Sequence, residues 1–213
     1  KDDLLSSVLA PARLQASVCL GGWNLSVQPD ARKRSASLRT ASSLLARAAM
    51  RLGAWPPVRD WAEAAGMLAL LAVAGGLISL WSPVLRFDPA LPGLTADPAR
   101  FLMLAALALV APSLAEELVF RGALQPGRLD SPAALAASAL SLIAFIVWHP
   151  VQVRTGWFTG QPIFQAPGFL VMAGLLGLVC TISVHRSGSL WPAATMHWVV
   201  VMVWKASAPA PAS

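Results

Sequence analysis

Tyrosine is absent from this chain, and charge is scarce: 12% of its 213 residues are Asp, Glu, Lys or Arg, where soluble domains carry about 25%. With 56% hydrophobic residues and a mean hydropathy of +0.63, that shortage excludes an ordinary water-soluble globule and reads as a membrane protein. Cysteine is limited to Cys19 and Cys180, far apart and the second within an apolar run. That excludes a disulfide framework or a zinc-ligand pair and leaves small apolar fillers. No segment alternates with the period of two that a barrel strand needs, and no internal repeat is found. Neither Gly-x-Ser-x-Gly nor His-Glu-x-x-His occurs, so the usual serine-hydrolase and single-helix zinc motifs are missing. The net charge of +6 would indicate nucleic acid only on the basic face of a soluble fold. Here the positive charge lies mostly outside the apolar runs, and no nucleic-acid partner is expected.

What the chain does have is nine Trp, 17 Pro and 15 Gly, a composition suited to helices that end at membrane interfaces. A bilayer core of about 30 Å needs about 20 apolar residues. Five stretches approach that length, at 64–81, 101 to about 125, 132–148, 168–184 and 189–204. The fold class expected is all-α: a polytopic membrane helical bundle of about five transmembrane helices. Residues 1–60 read as a basic N-terminal arm, either disordered or a helix on the membrane surface, since no acid occurs between Ala31 and Arg59. Residues 61–205 form the membrane-embedded domain, and 206–213 an Ala/Pro-rich tail. With five alternating spans, twelve Lys and Arg fall on the N-terminal side and four on the other. That asymmetry places the N-terminus in the cytoplasm, and the Ala, Leu, Arg and Pro bias fits a GC-rich bacterial source and an inner-membrane protein.

The second span carries the anomaly: "SLAEELVFRG" puts Glu116, Glu117 and Arg121 directly behind a fifteen-residue uncharged run. A carboxylate near mid-bilayer costs roughly 2.5–3.5 kcal/mol on insertion scales. Glu117 and Arg121 stand four apart and can pair. Glu116 lies about 100° round the helix, leaving one carboxylate for proton transfer or, on the bland reading, a charged helix end at the water interface. His149 closes the third span in "FIVWH" and His197 lies inside the fifth in "ATMHWVVV". Each alone reads as a satisfied core histidine; together with the glutamates they imply one convergent polar site. A simple hairpin puts Glu116 about 13 Å and His149 about 21 Å from their shared turn, a mismatch of roughly 8 Å for tilt, a kink or an early helix start near Pro132 to absorb. Ser141 and Ser183 read as hydroxyls bonded back to their own helices. His185 reads as an interface residue.

The series Glu116-Glu117-x-x-x-Arg121, Phe145-x-x-x-His149 and "RSGSLWPAATMH" ending at His197 resembles the CAAX-protease and bacteriocin-processing family, the glutamic intramembrane endopeptidases also called the Abi family. The resemblance covers about residues 60–205. It implies that Glu116 activates a water with help from His149, that Glu117 and Arg121 shape and neutralise the site, that Phe145 packs beneath it, and that His197 donates to the oxyanion. Where the family has Asn or Asp four residues after the second histidine, this chain has Val201. That leaves Trp198 or a backbone N–H to stand in, or a member of impaired activity serving as a scaffold or immunity protein. The expected substrate is a membrane-associated peptide or protein tail, and no cofactor is expected, although two His and the Glu pair are also zinc-type ligands. A proton relay or small transporter is the remaining alternative, and matching inverted halves are not found.

Overall fold

A computed structural model describes residues 31–82, 85–156 and 161–207, with side chains from residue 40 onward. Cys19, most of the N-terminal arm and the Ala/Pro tail lie outside the described residues. Among those described, every regular element is helical. The main helices are α1 (Ala31–Gly53), α2 (Val58–Ser79), α3 (Pro98–Leu124), α4 (Pro132–Thr155), α5 (Pro167–Ser187) and α6 (Trp191–Ser207).

The punctuation is local chemistry. Pro98, Pro132 and Pro167 occupy the first turns of α3, α4 and α5, where the missing N–H costs nothing and φ is already helical. Asp97 and Ser131 cap α3 and α4 by accepting the N–H groups of Arg100 and Ala134. Gly156 and Gly188 end α4 and α5 at φ 64° and 68°, in the left-handed region where a side chain would be strained.

Four helices, α2 to α5, are long and apolar enough to cross a membrane, and the fifth expected span, α6, has 17 residues. Their outward faces carry Leu70, Leu77, Leu102, Leu107, Leu140 and Ile143, all exposed. Such a surface suits lipid, which solvates apolar side chains as well as a protein core does. The chain is an integral membrane protein. The most buried of the four spans is α5, which packs against α2, α4 and α6 around Cys180, Val184, Ala193 and Met196.

Two departures from the sequence reading position the site. First, α3 is not a continuous α-helix. Widened turns at Leu109–Leu114 and Leu118–Leu124 flank Ala115–Glu117, and Ala111 has extended backbone (φ −138°, ψ 116°) ahead of Pro112. Wide turns of this kind recur at functional sites. Secondly, Ser141 does not bond back to its own helix; its hydroxyl donates to the Phe120 carbonyl at 2.6 Å. That bond sets Ser141, nine residues into α4, level with Phe120, only four from the end of α3, so α4 overshoots its neighbour by about 7.5 Å. The overshoot takes up part of the height mismatch between Glu116 and His149: counted from the Ser141–Phe120 level, His149 still stands about 6 Å farther along.

The basic arm also ends differently. From Thr40 onward α1 belongs to the same compact unit as the other helices, because Arg47 and Arg51 find acceptors there. Arg47 donates to the Ala123 and Gln125 carbonyls at 3.1 and 3.0 Å. Arg51, buried, donates to the carbonyls of Arg121, Gln125 and Pro126.

Candidate active site

Three helices bring polar side chains to one place, and a fourth adds a backbone carbonyl. On α3, Glu117 is fully buried, and its Oε1 accepts Nη1 of Arg121 at 3.0 Å and Nδ1–H of His197, from α6, at 3.0 Å. Arg121 spends its other end on the Gly177 carbonyl of α5 at 3.0 Å, and its guanidinium carbon lies 4.1 Å from the Phe145 ring centroid of α4. A buried cation is thereby met by a carboxylate, a carbonyl and an aromatic face, the combination that offsets desolvation.

Glu116 is the other kind of acid. Its side chain keeps 12% exposure and lines a cavity of about 450 Å³ with His149, Trp148, Phe145, His197 and Val201. Oε1 accepts the indole N–H of Trp148 at 3.0 Å. Oε2 has no protein hydrogen-bond partner among the described residues and stands 3.9 Å from Nε2 of His197, beyond a direct hydrogen bond. Trp148 read from sequence as an interfacial aromatic beside the histidine. Nothing in its spacing marks it as a donor to a carboxylate on another helix.

The imidazoles are held differently. Nδ1 of His149 sits 3.0 Å from the Phe145 carbonyl. A carbonyl only accepts, so Nδ1 carries the proton and Nε2 is left as an acceptor. Rings of Phe145, Phe164 and Phe169 pack edge-on around it at 5.0 to 5.5 Å. His197 is oriented from the Glu117 side. Phe145, with no exposed surface, touches Arg121, His149 and His197 together.

Of the residues singled out in the sequence, Glu116, Phe145, His149, His197 and Val201 line the cavity, and Glu117 and Arg121 buttress it. Trp198 does not join them: its indole N–H donates to the Ala105 carbonyl at 2.8 Å, so it ties α6 to α3 and is not available as a donor. His185 is exposed. Among the described residues, no group of three His, Cys, Asp or Glu is arranged to hold a metal ion.

Gly177 is the residue that sequence reasoning missed. A Cβ there would lie 2.6 Å from Leu142 Cδ1, 2.8 Å from Arg121 Nη2 and 3.0 Å from Phe145 Cδ1, closer than atoms pack. Leu142 can swing aside; Arg121, pinned at both ends, cannot. Gly177→Ala is expected to destabilise the protein by about 1–3 kcal/mol, the cost of overpacking a filled interior, as measured by thermal unfolding in micelles.

No curated protein and no solved structure matches the chain. Residues 98–203 match the family model described as type II CAAX prenyl endopeptidase Rce1-like, a segment that holds both glutamates, Arg121, Phe145, His149 and His197, and through it the chain belongs to the Rce1-like family of CAAX endopeptidases.

Proposed function

We propose that this protein is an intramembrane endopeptidase that hydrolyses the tail of a membrane-associated peptide or protein by a glutamate mechanism. The observation that carries the reading is the pair of unlike carboxylates: Glu117 neutralised by Arg121 and held from His197, and Glu116 with Oε2 in no protein hydrogen bond. In this mechanism a water donates one hydrogen to Oε2 of Glu116 and the other to Nε2 of His149. The carboxylate takes the proton as the water oxygen attacks the peptide carbonyl. Doubly protonated His197, anchored on Glu117, presents Nε2–H to the developing oxyanion. Glu116 then passes the proton to the departing amine as the C–N bond breaks, leaving a carboxylic acid and a free amine.

The apolar lining suits a lipid-bearing or hydrophobic tail, as the family name indicates. Lys205 lines the same cavity, eight residues beyond His197 on α6, about 12 Å of helical rise. An extended peptide covers that span in three to four residues at about 3.3 Å each, which places a free C-terminal carboxylate near the ammonium. Lys205→Gln is expected to raise KM by about 10- to 100-fold, the worth of a charge-assisted hydrogen bond, with kcat little changed. Amidating the C-terminus of the substrate is expected to have the same effect on the wild type.

The reading is tested by reconstituting the protein in liposomes with a prenylated, internally quenched peptide and identifying the products by mass spectrometry. Cleavage that survives 1,10-phenanthroline supports the glutamate mechanism, and loss restored by zinc replaces it with a metalloprotease. A protein that inserts and folds yet cleaves nothing favours the scaffold reading, for which Val201 in the cavity wall is the relevant observation.

A further inference from the structure

The C-terminal end of α3 has a shortage of donors. A helix leaves its last four carbonyls unsatisfied. The N–H that a widened turn would present to the Arg121 carbonyl belongs five residues on, to Pro126, which has none. Gln125, with extended backbone, ends the helix just there. The missing donors come from α1, which is neither one of the apolar spans nor part of the segment matched to the family. Arg51 gives Nη1 to the Arg121 and Gln125 carbonyls and Nη2 to Pro126, and Arg47 serves Ala123 and Gln125. No acid pairs with Arg51 among the described residues, and burial with the Arg47 charge beside it draws its pKa below the ordinary guanidinium value. A cation placed there at that cost is answered only by the carbonyls and the negative end of the helix dipole.

The other end of the same short stretch is tied to the turn before α6. Leu190 N–H donates to the Arg51 carbonyl at 3.1 Å, Trp191 Nε1 to Leu52 at 2.9 Å, and Ser189 Oγ to Ala54 at 2.6 Å. The motif "GSLW" is thus the seat of α1, and it ends six residues before His197. Residues 47–54 bridge the helix that carries Glu116, Glu117 and Arg121 to the helix that carries His197.

We propose that α1 is a clip that sets the alignment of these two helices, with Arg51 as its positioning residue. Arg121 is held through both ends, side chain on Glu117 and Gly177, carbonyl on Arg51. The consequence for catalysis rests on the hydrolytic reading above; the clip itself does not. Arg51→Ala is expected to lower kcat about 10- to 100-fold, the effect of a misplacement of about 1 Å, with KM unchanged because Arg51 lies outside the cavity lining. Arg51→Lys, which keeps the charge but not the fork, is expected to recover part of the loss.

The docking of α1 is read without activity, by pulsed electron spin resonance between labels at two exposed positions, Leu45 on α1 and Leu124 on α3, with Cys19 replaced by serine. A narrow distance distribution in the wild type that broadens in Arg51→Ala and narrows again in Arg51→Lys, together with the fall in kcat, supports the proposal. Broadening with kcat held shows that α1 only packs against α3 and overturns positioning; an unchanged distribution overturns the clip. Were the wild type to show no Glu116-dependent cleavage, the hydrolytic reading would fall and the distance measurement alone would decide whether the clip exists.

Discussion

Glutamine at position 116 is expected to lower kcat for tail cleavage by about 10²- to 10⁴-fold, the span ascribed to a positioned general base, while the thermal unfolding midpoint and membrane insertion stay those of the wild type. The substitution changes almost nothing but basicity. Glutamine has the same shape, and its Oε1 can still accept the Trp148 indole N–H that holds the glutamate at 3.0 Å. Glu116 forms no ion pair with Arg121, which is engaged by Glu117 and Gly177, and His197 keeps its hydrogen bond to Glu117, so each buried cation retains a carboxylate. What is lost is the ability of the group facing His197 across 3.9 Å to take a proton from water and return it to the leaving amine. Initial rates in proteoliposomes, set beside unfolding curves of the same preparations, separate the two effects. Full activity in Glu116→Gln would remove the base from the mechanism. Loss of both activity and fold would make Glu116 a structural residue.

The sequence carried the helical framework and the charged members of the site for the same physical reason. A bilayer makes each ion so costly that Glu116, Glu117, Arg121, His149 and His197 stand out against apolar surroundings. The punctuation by Pro98, Pro132 and Pro167, Gly156 and Gly188 is local chemistry and equally readable. Contacts between helices were not readable. Trp148 and Trp198 each stand next to a site histidine in the sequence, yet one indole donates to the Glu116 carboxylate and the other to the Ala105 carbonyl. Gly177 is one glycine among fifteen, and only the approach of Arg121 and Phe145 makes it necessary. The overshoot of α4 past α3 depends on the Ser141–Phe120 bond between helices. The end of the arm was equally unreadable: its charges suggested lipid headgroups or solvent, whereas Arg47 and Arg51 answer carbonyls seventy or more residues away.

Removing the arginine of the buried pair has the largest expected effect on stability. Arg121 and Glu117 keep 1% and 0% of their side-chain surface exposed. Arg121→Met leaves the carboxylate without its guanidinium, and breaking such a pair from one side costs about 3–5 kcal/mol. The Gly177 carbonyl loses its donor and Phe145 its cation in the same step. The double replacement Glu117→Met with Arg121→Met removes both charges and is expected to recover most of that loss, since well-packed apolar residues often substitute for a buried pair at little cost. Catalysis is not expected to return with it. Nδ1 of His197 would have no carboxylate to hold its ring, and the donor for the oxyanion would be free to turn. Denaturant unfolding and cleavage rates on the three proteins distinguish the possibilities. Stability regained without activity means that the pair is kept for the site and tolerated by the fold. A double variant as unstable as Arg121→Met would mean that the bundle itself is built on the ion pair, and that Glu117 and Arg121 are structural.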